Sequence, residues 1–182
     1  ILLSAHREEN IDTDRNFVQL FTAVNAMAEK YDMPILYSCH PRSRKRLEAT
    51  GFQLDTRVIA HEPLGCRDYN CRQMNAVAVV SDSGTLPEES SFFLSVGKPF
   101  PAVSIRTSTE RPEALDAGCF VLAGIDADSL LQAVEMAVGM QRAECFGTPV
   151  AGYTAENVSM KVARIIQSYT GIVNKMVWRK DE

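Results

Sequence analysis

Short apolar runs alternate along the chain with longer segments in which apolar residues recur every three to four positions. The short runs are typical of buried β-strands, and the longer segments are typical of amphipathic α-helices. The predicted strands are residues 1–4, 34–39, 57–60, 76–80, 101–105 and 119–123. The predicted helices are residues 17–28, 42–50, 70–75, 86–96, 127–142 and 156–178.

Polar and glycine residues define several of these helix ends. Asp12 or Thr13 is placed to cap the first helix, because a short polar side chain there accepts a hydrogen bond from an early helical N–H. Gly51 and Gly97 are expected to end the second and fourth helices. We expect Gly171 to break the last helix, since glycine is a weak helix former.

The alternation of strands and helices predicts an α/β fold. Its expected form is a Rossmann-like parallel sheet with helices on both faces, because strands that are apolar throughout are buried on both sides. Sheets of this kind bind ligands at the carboxyl ends of their strands. We therefore expect the functional residues to follow the strands directly.

Composition narrows the class of protein. The chain has 182 residues, of which 46% are hydrophobic and 23% charged, as in an ordinary globular domain. No apolar run approaches the length of about 18 residues that a membrane span needs. The net charge of -4 argues against non-specific nucleic-acid binding. The opening segment ILLSAH has neither an initiator Met nor a signal peptide, so we expect a piece of a longer, cytoplasmic protein.

Cysteine and histidine spacing gives no indication of a metal. The five cysteines are irregularly spaced, and we expect them to be free thiols. His6, His40 and His61 are not spaced like metal ligands, so we expect no metal.

The segment after the fourth predicted strand, residues 81–91, has the character of a phosphate site. Ser83 and Gly84 precede a helix whose first amides lack partners, and the helix dipole favours an anion there. Thr85 and Glu88 fit a capping box, which leaves open that the segment is only a well-capped helix. Glu89 faces another direction, and we expect it to accept hydrogen bonds from ribose hydroxyls.

Two further strands are followed by candidate anion-binding residues. His6 and Arg7 follow the first strand, with Glu9 and Asn10 beside them. Arg106 and Arg111 follow the fifth strand in a loop that also contains hydroxyl side chains.

The second and third strands are followed by segments that are harder to interpret. The basic segment 40–46 is either another phosphate site or, more commonly, a solvated helix face. The loop 62–69 can present backbone groups to a planar base, but its composition does not show that it does. The SDSG turn lacks the glycine that a nucleophile elbow has two residues before its serine.

Three motifs in this order resemble a known family. HREENID (6–12), SDSGTLPEES (81–90) and RTSTERPE (106–113) are similar to signatures of the non-hydrolysing UDP-N-acetylglucosamine 2-epimerases, and the resemblance extends over the whole chain. It implies a glycosyltransferase-B-type fold, in which two Rossmann-like domains face each other across a cleft. Residues 1–182 resemble the C-terminal, UDP-binding domain, and the last helix, from about residue 156, is expected to pack toward the absent N-terminal domain.

The resemblance also implies roles for individual residues. His6 and Arg106 are the expected catalytic residues, acting at the diphosphate. The expected UDP-binding residues are Arg7, Glu9, Asn10, Ser83, Gly84, Glu89 and Arg111. This sequence departs from the family at Arg67, where aromatic residues near the nucleotide base are usual, and at Thr85, where many members have glycine.

The implied reaction inverts C2 of a UDP-N-acetyl sugar by elimination and re-addition of UDP. It needs no cofactor, and the acid and base carboxylates belong to the absent domain, so we expect the chain alone to be inactive. The resemblance further implies a homodimeric full-length enzyme. HREENID, QMNA, SDSGT and YTGIVNKMVWRK look most similar to the branch that forms UDP-N-acetyl-L-fucosamine for surface polysaccharides. A glycosyltransferase of the same architecture and a nucleotide-sugar sensor are the alternatives.

Overall fold

The computed structural model describes residues 1–180 and contains one parallel β-sheet. The strands are β1 (Leu2–Ser4), β2 (Ile35–Ser38), β3 (Val58–His61), β4 (Val79–Ser81), β5 (Ala102–Ser104) and β6 (Val121–Leu122). Their order in the sheet is β3-β2-β1-β4-β5-β6, and each neighbouring pair is parallel. The predicted α/β fold and all six predicted strands are confirmed.

Helices connect the strands and cover both faces of the sheet. They are α1 (Glu8–Ile11), α2 (Asp14–Tyr31), α3 (Pro41–Thr50), α4 (Cys66–Asn75), α5 (Leu86–Ser95), α6 (Pro112–Asp116), α7 (Ala127–Arg142) and α8 (Val158–Met176), with a 3₁₀ turn at Ala151–Tyr153. The short helices α1 and α6 were not predicted, because four or five residues carry too little periodicity to be recognised. Within residues 1–180, no helix combines the length and the apolar character needed to cross a lipid bilayer.

Side chains that alternate along the strands form two cores. Leu3, Val80 and Val103 belong to the core that packs against α2 and α7. Leu2 and Val79 belong to the other core, which lies beneath α5. Both faces of the central strands are therefore buried, as the continuous apolar runs predicted.

The capping predictions are mostly confirmed. Thr13 caps α2, and its hydroxyl accepts a hydrogen bond of 3.2 Å from the N–H of Asn16. Gly51 ends α3 in the left-handed conformation, with φ of 63°, and Gly97 follows the end of α5 with φ of 72°. The predicted break at Gly171 is wrong, since α8 continues through it; a mid-helix glycine costs only about 1 kcal/mol, which is too little to interrupt a long helix.

Candidate functional site

The site lies where β1 and β4 are neighbours at the centre of the sheet. From β1 the chain builds the sheet in one direction through β2 and β3, and from β4 it builds in the other through β5 and β6. Such a topological switch point leaves a crevice at the carboxyl ends of the two strands, where doubly wound sheets bind ligands. The motifs 6–12 and 81–90 follow these two strands, and the motif 106–113 follows the neighbouring β5.

Asp82 joins the loops that follow β1 and β4. Its side chain is completely buried, and its Oδ2 atom accepts hydrogen bonds from the N–H groups of His6 (2.9 Å) and Arg7 (2.8 Å). The same oxygen accepts one from the Asn10 amide at 3.1 Å. Sequence reasoning missed Asp82; an acid directly at the end of a buried strand, among small residues, is the signal that could have identified it.

The side chains of His6 and Arg7 lie on the open side of this loop. Nδ1 of His6 is 3.3 Å from the hydroxyl of Ser4 and 3.3 Å from Oδ1 of Asp82, and 45% of its side chain is exposed. The Arg7 guanidinium lies over Gly84, where a Cβ atom would come within 3.0 Å of it. Within residues 1–180 this guanidinium makes no hydrogen bond to protein, so it is available to an anion.

The turn between β4 and α5 presents a free backbone donor next to Arg7. The amides of Ser83 and Thr85 are satisfied by the hydroxyls of Ser81 and Ser83, at 3.0 and 3.3 Å. The amide of Gly84 has no hydrogen-bond partner in the described part of the chain. This amide, the Arg7 guanidinium and the start of α5 together form a place for a phosphate group.

The two glutamates at the start of α5 face different directions, as the sequence predicted, but the capping box is wrong. Thr85 makes no side-chain cap, and Glu88 instead accepts a 2.6 Å hydrogen bond from Nε of Arg111. An arginine on the facing loop offers this carboxylate a charged partner, which outweighs the helix start. Glu89 is the acid that contacts Thr85, whose hydroxyl donates to Oε1 at 2.6 Å.

Two side chains of α4, both missed by sequence reasoning, surround Glu89. Gln73 is completely buried and donates a 2.6 Å hydrogen bond to Oε2 of Glu89. Burial raises the pKa of Tyr69 to about 12, the nearby Glu89 carboxylate adds to that shift, and the hydroxyls of Ser81 and Ser4 oppose it. The hydrogen bonds from Thr85 and Gln73 hold the Glu89 carboxylate in one place. Gln73 gave no signal in the sequence, because α4 is polar along most of its length and Gln73 is its one buried residue.

Arg106 is at the predicted edge of the sheet, but it is buried and already paired. Its guanidinium donates twice to Glu110, at 2.5 and 2.7 Å, and once to Glu9 at 3.2 Å. The hydrogen bonds from Arg106 lower the pKa of Glu110 to about 2. Glu9 and Arg111 are likewise engaged in ion pairs.

The remaining predicted residues have supporting positions. Asn10 is buried, and its amide donates to Asp82 and to the carbonyl of Ile105, so it holds loops together. The basic segment 40–46 is a charged helix face in which Arg42 binds the carboxylates of α1 and the following residues. About half of the segment 62–69 is helical, because α4 begins at Cys66, and Arg67 is exposed.

The arrangement combines two kinds of group that suit a nucleotide. His6, Arg7 and the Gly84 amide are hydrogen-bond donors of the kind that bind a diphosphate, and Glu89 has acceptor oxygens of the kind that bind ribose hydroxyls. All five cysteines are free. Among the described residues there is no group of three or more acidic, histidine or cysteine side chains that could hold a metal ion.

Comparison with known proteins gives one consistent family. The family model described as UDP-N-acetylglucosamine 2-epimerase matches residues 1–167. A UDP-N-acetylglucosamine 2-epimerase of Methanococcus maripaludis is 36% identical over 138 residues, which are 74% of this chain and 36% of that protein.

Solved structures agree with the sequence comparison. The UDP-N-acetylglucosamine 2-epimerase of Rickettsia bellii is similar with a TM-score of 0.83 and 33% identity, over 98% of this chain and 47% of that one. The Methanocaldococcus jannaschii UDP-GlcNAc 2-epimerase in complex with UDP-GlcNAc and UDP is similar with a TM-score of 0.76 and 28% identity, over 92% and 44%. The chain thus spans less than half the length of these relatives.

Proposed function

Because the chain belongs to the UDP-N-acetylglucosamine 2-epimerase family, we propose that it is the UDP-binding half of a non-hydrolysing UDP-N-acetyl-sugar 2-epimerase. The observation that carries the proposal is the switch-point site. Asp82 holds the loop of His6 and Arg7 against the turn at Gly84, and Glu89 is fixed nearby. The donors suit a diphosphate and the fixed carboxylate suits a ribose, which together describe a nucleoside diphosphate.

In the proposed reaction, this half of the enzyme holds the leaving group. A base removes the C2 proton, the C1–O bond breaks, and UDP departs as a glycal forms; UDP then adds back after C2 is reprotonated on the other face. Negative charge grows on the diphosphate as the C1–O bond breaks. Donors fixed in advance at His6, Arg7 and Gly84 stabilise that charge without having to reorganise.

We place the acid and base carboxylates in a separate N-terminal domain, and we propose that α8 packs against it. No residue of α8 is buried, although its apolar side chains recur at helical spacing; Val162, Ile165, Ile166, Tyr169 and Ile172 are each 47–61% exposed. Such a stripe is the expected surface for a helix that crosses to a second domain.

The proposal also covers the branch of the family, the cellular compartment and the oligomeric state. HREENID, QMNA, SDSGT and YTGIVNKMVWRK favour the UDP-N-acetyl-L-fucosamine-forming branch. Five free cysteines suit a reducing compartment such as the cytoplasm. A homodimer for the complete enzyme rests on the family resemblance alone.

Calorimetric titration of the chain with UDP tests the proposal. We expect weak but measurable UDP binding, much weaker binding of uridine, which lacks the diphosphate, and no epimerisation of a UDP-sugar by this chain alone. Circular dichroism establishes that the protein is folded. A folded chain that binds no UDP at millimolar concentration would contradict the proposal, and turnover by this chain would place the acid and base groups within it.

A further inference from the structure

One carboxylate oxygen of Asp82, Oδ1, takes no part in the hydrogen bonds that hold the loops together. Three donors converge on Oδ2, whereas Oδ1 is fully buried and makes no well-aligned hydrogen bond within residues 1–180. The nitrogen Nδ1 of His6 lies 3.3 Å from this Oδ1. If Asp82 only tied the two loops together, a neutral side chain would do so without the cost of burying a charge.

The position of His6 between two acceptors restricts its protonation. Its Nδ1 faces the Asp82 carboxylate, and 45% of the side chain is exposed. We therefore take the other ring nitrogen, Nε2, as the one that meets the proposed diphosphate. A carboxylate and a phosphate can only accept hydrogen bonds, and neutral imidazole carries one N–H. Only the imidazolium ion has a proton for each neighbour.

Other charged groups near His6 do not replace this pairing. Arg7, Glu8, Glu9 and Arg42 line the open side of the same shallow pocket. Arg42 is bound by Glu8, and Glu9 is bound by Arg106. On the buried side, Nδ1 of His6 faces the Ser4 hydroxyl and the Asp82 carboxylate. The Tyr69 hydroxyl lies near those two groups.

We propose that Asp82 is a positioning residue that keeps His6 doubly protonated when the diphosphate is bound. The inference rests on the proposed function, since it takes the ligand of Nε2 to be the diphosphate. It predicts that ligand affinity falls as the pH rises and His6 gives up a proton.

The test compares the wild-type chain with Asp82→Asn. The asparagine oxygen can still accept from the loop N–H groups, while its NH₂ would donate to Nδ1 and favour neutral imidazole with the proton on Nε2. The ligand is UDP-N-acetylglucosamine, whose diester diphosphate keeps its charge between pH 6 and 8. We expect wild-type affinity to fall about tenfold or more over this interval, as a histidine that must be charged loses its proton, and the variant to change far less.

NMR of ¹⁵N-labelled histidine reads the protonation directly, because the chain has only three histidines. In the wild-type complex at pH 7.5, both ring nitrogens of His6 should be protonated; in Asp82→Asn, only Nε2 should be. His6→Gln assigns the resonance and should abolish the pH dependence. Ser4→Ala removes the other neighbour of Nδ1 and should leave the pH dependence of affinity unchanged.

The possible failures are distinguishable. If the folded wild type does not bind UDP-N-acetylglucosamine, the proposed function fails. If it binds with a neutral His6, or with the same pH dependence after Asp82→Asn, the function stands and the role of Asp82 is refuted. A neutral His6 in the wild-type complex would refute the role of Asp82 even if Asp82→Asn does not fold.

Discussion

Glu89→Gln is the sharpest test of the nucleotide site. The Glu89 carboxylate has roughly four acceptor positions on its two oxygens, and Thr85 and Gln73 each occupy one. About two positions remain, which matches the two hydroxyls of a ribose. Glutamine has a single acceptor oxygen, and one of its positions must satisfy Gln73, so at most one hydroxyl keeps its partner.

The expected loss is one hydrogen bond to a charged acceptor, about 1.5 to 3 kcal/mol of binding free energy. UDP affinity, measured by calorimetry, should therefore fall roughly 10- to 150-fold. The variant should bind 2′,3′-dideoxy-UDP about as well as the wild type does, because that ligand has no ribose hydroxyls to lose. Glu88→Gln is the comparison variant: its carboxylate binds Arg111, whereas Thr85 and Gln73 bind Glu89, so any change in affinity should be the same for UDP and for 2′,3′-dideoxy-UDP.

Two results would refute the assignment. Equal weakening of UDP and its dideoxy analogue by Glu89→Gln would mean that Glu89 acts on the fold or the diphosphate. A hydroxyl dependence carried by Glu88 would exchange the roles of the two acids.

Two other substitutions test the phosphate turn and the ion pair behind it. Gly84→Ala should weaken UDP binding severalfold, because the new methyl group would displace the Arg7 guanidinium beside the Gly84 amide. The melting temperature should change little, because the methyl group meets only the movable end of Arg7. Gly139→Ala in α7 is the control: a Cβ atom there meets nothing within 4 Å, so UDP affinity should be unchanged. In Glu110→Gln, the melting temperature should fall less steeply at acid pH than it does in the wild type. Since Arg106 lowers the pKa of Glu110 to about 2, the pair contributes stability above pH about 4.5 that is lost as the pH falls toward 2; an unchanged profile of melting temperature against pH would contradict this.

The sequence was sufficient to predict the sheet but not the contacts made by the charged side chains. Apolar runs and glycine ends are local signals, and they placed all six strands and the ends marked by Gly51 and Gly97. Glu88 shows the limit: its spacing from Thr85 fits a capping box, yet its partner is Arg111, 23 residues away. A local pattern cannot reveal a competing partner that the fold brings close.

The same limit applies to the residues that were missed. Asp82 lies inside a predicted motif, but its importance comes from donors on a loop 75 residues earlier in the chain. Gln73 could be assigned to Glu89 only once the fold showed the hydrogen bond between them. The motifs indicated the candidate residues, and the fold shows which other residues support them.

The ion pairs of the site indicate which of its cations is the most available to a ligand. Arg106 and Arg111 are each bound by carboxylates, so either must give up a partner before it can bind a phosphate. Arg7 has no such partner in the described chain, and it lies beside the free amide of Gly84. Glu89 is five residues beyond that amide, in the first turn of α5. A phosphate and a ribose joined in one ligand can therefore engage both subsites at once, which favours a nucleotide over a free sugar phosphate or inorganic phosphate.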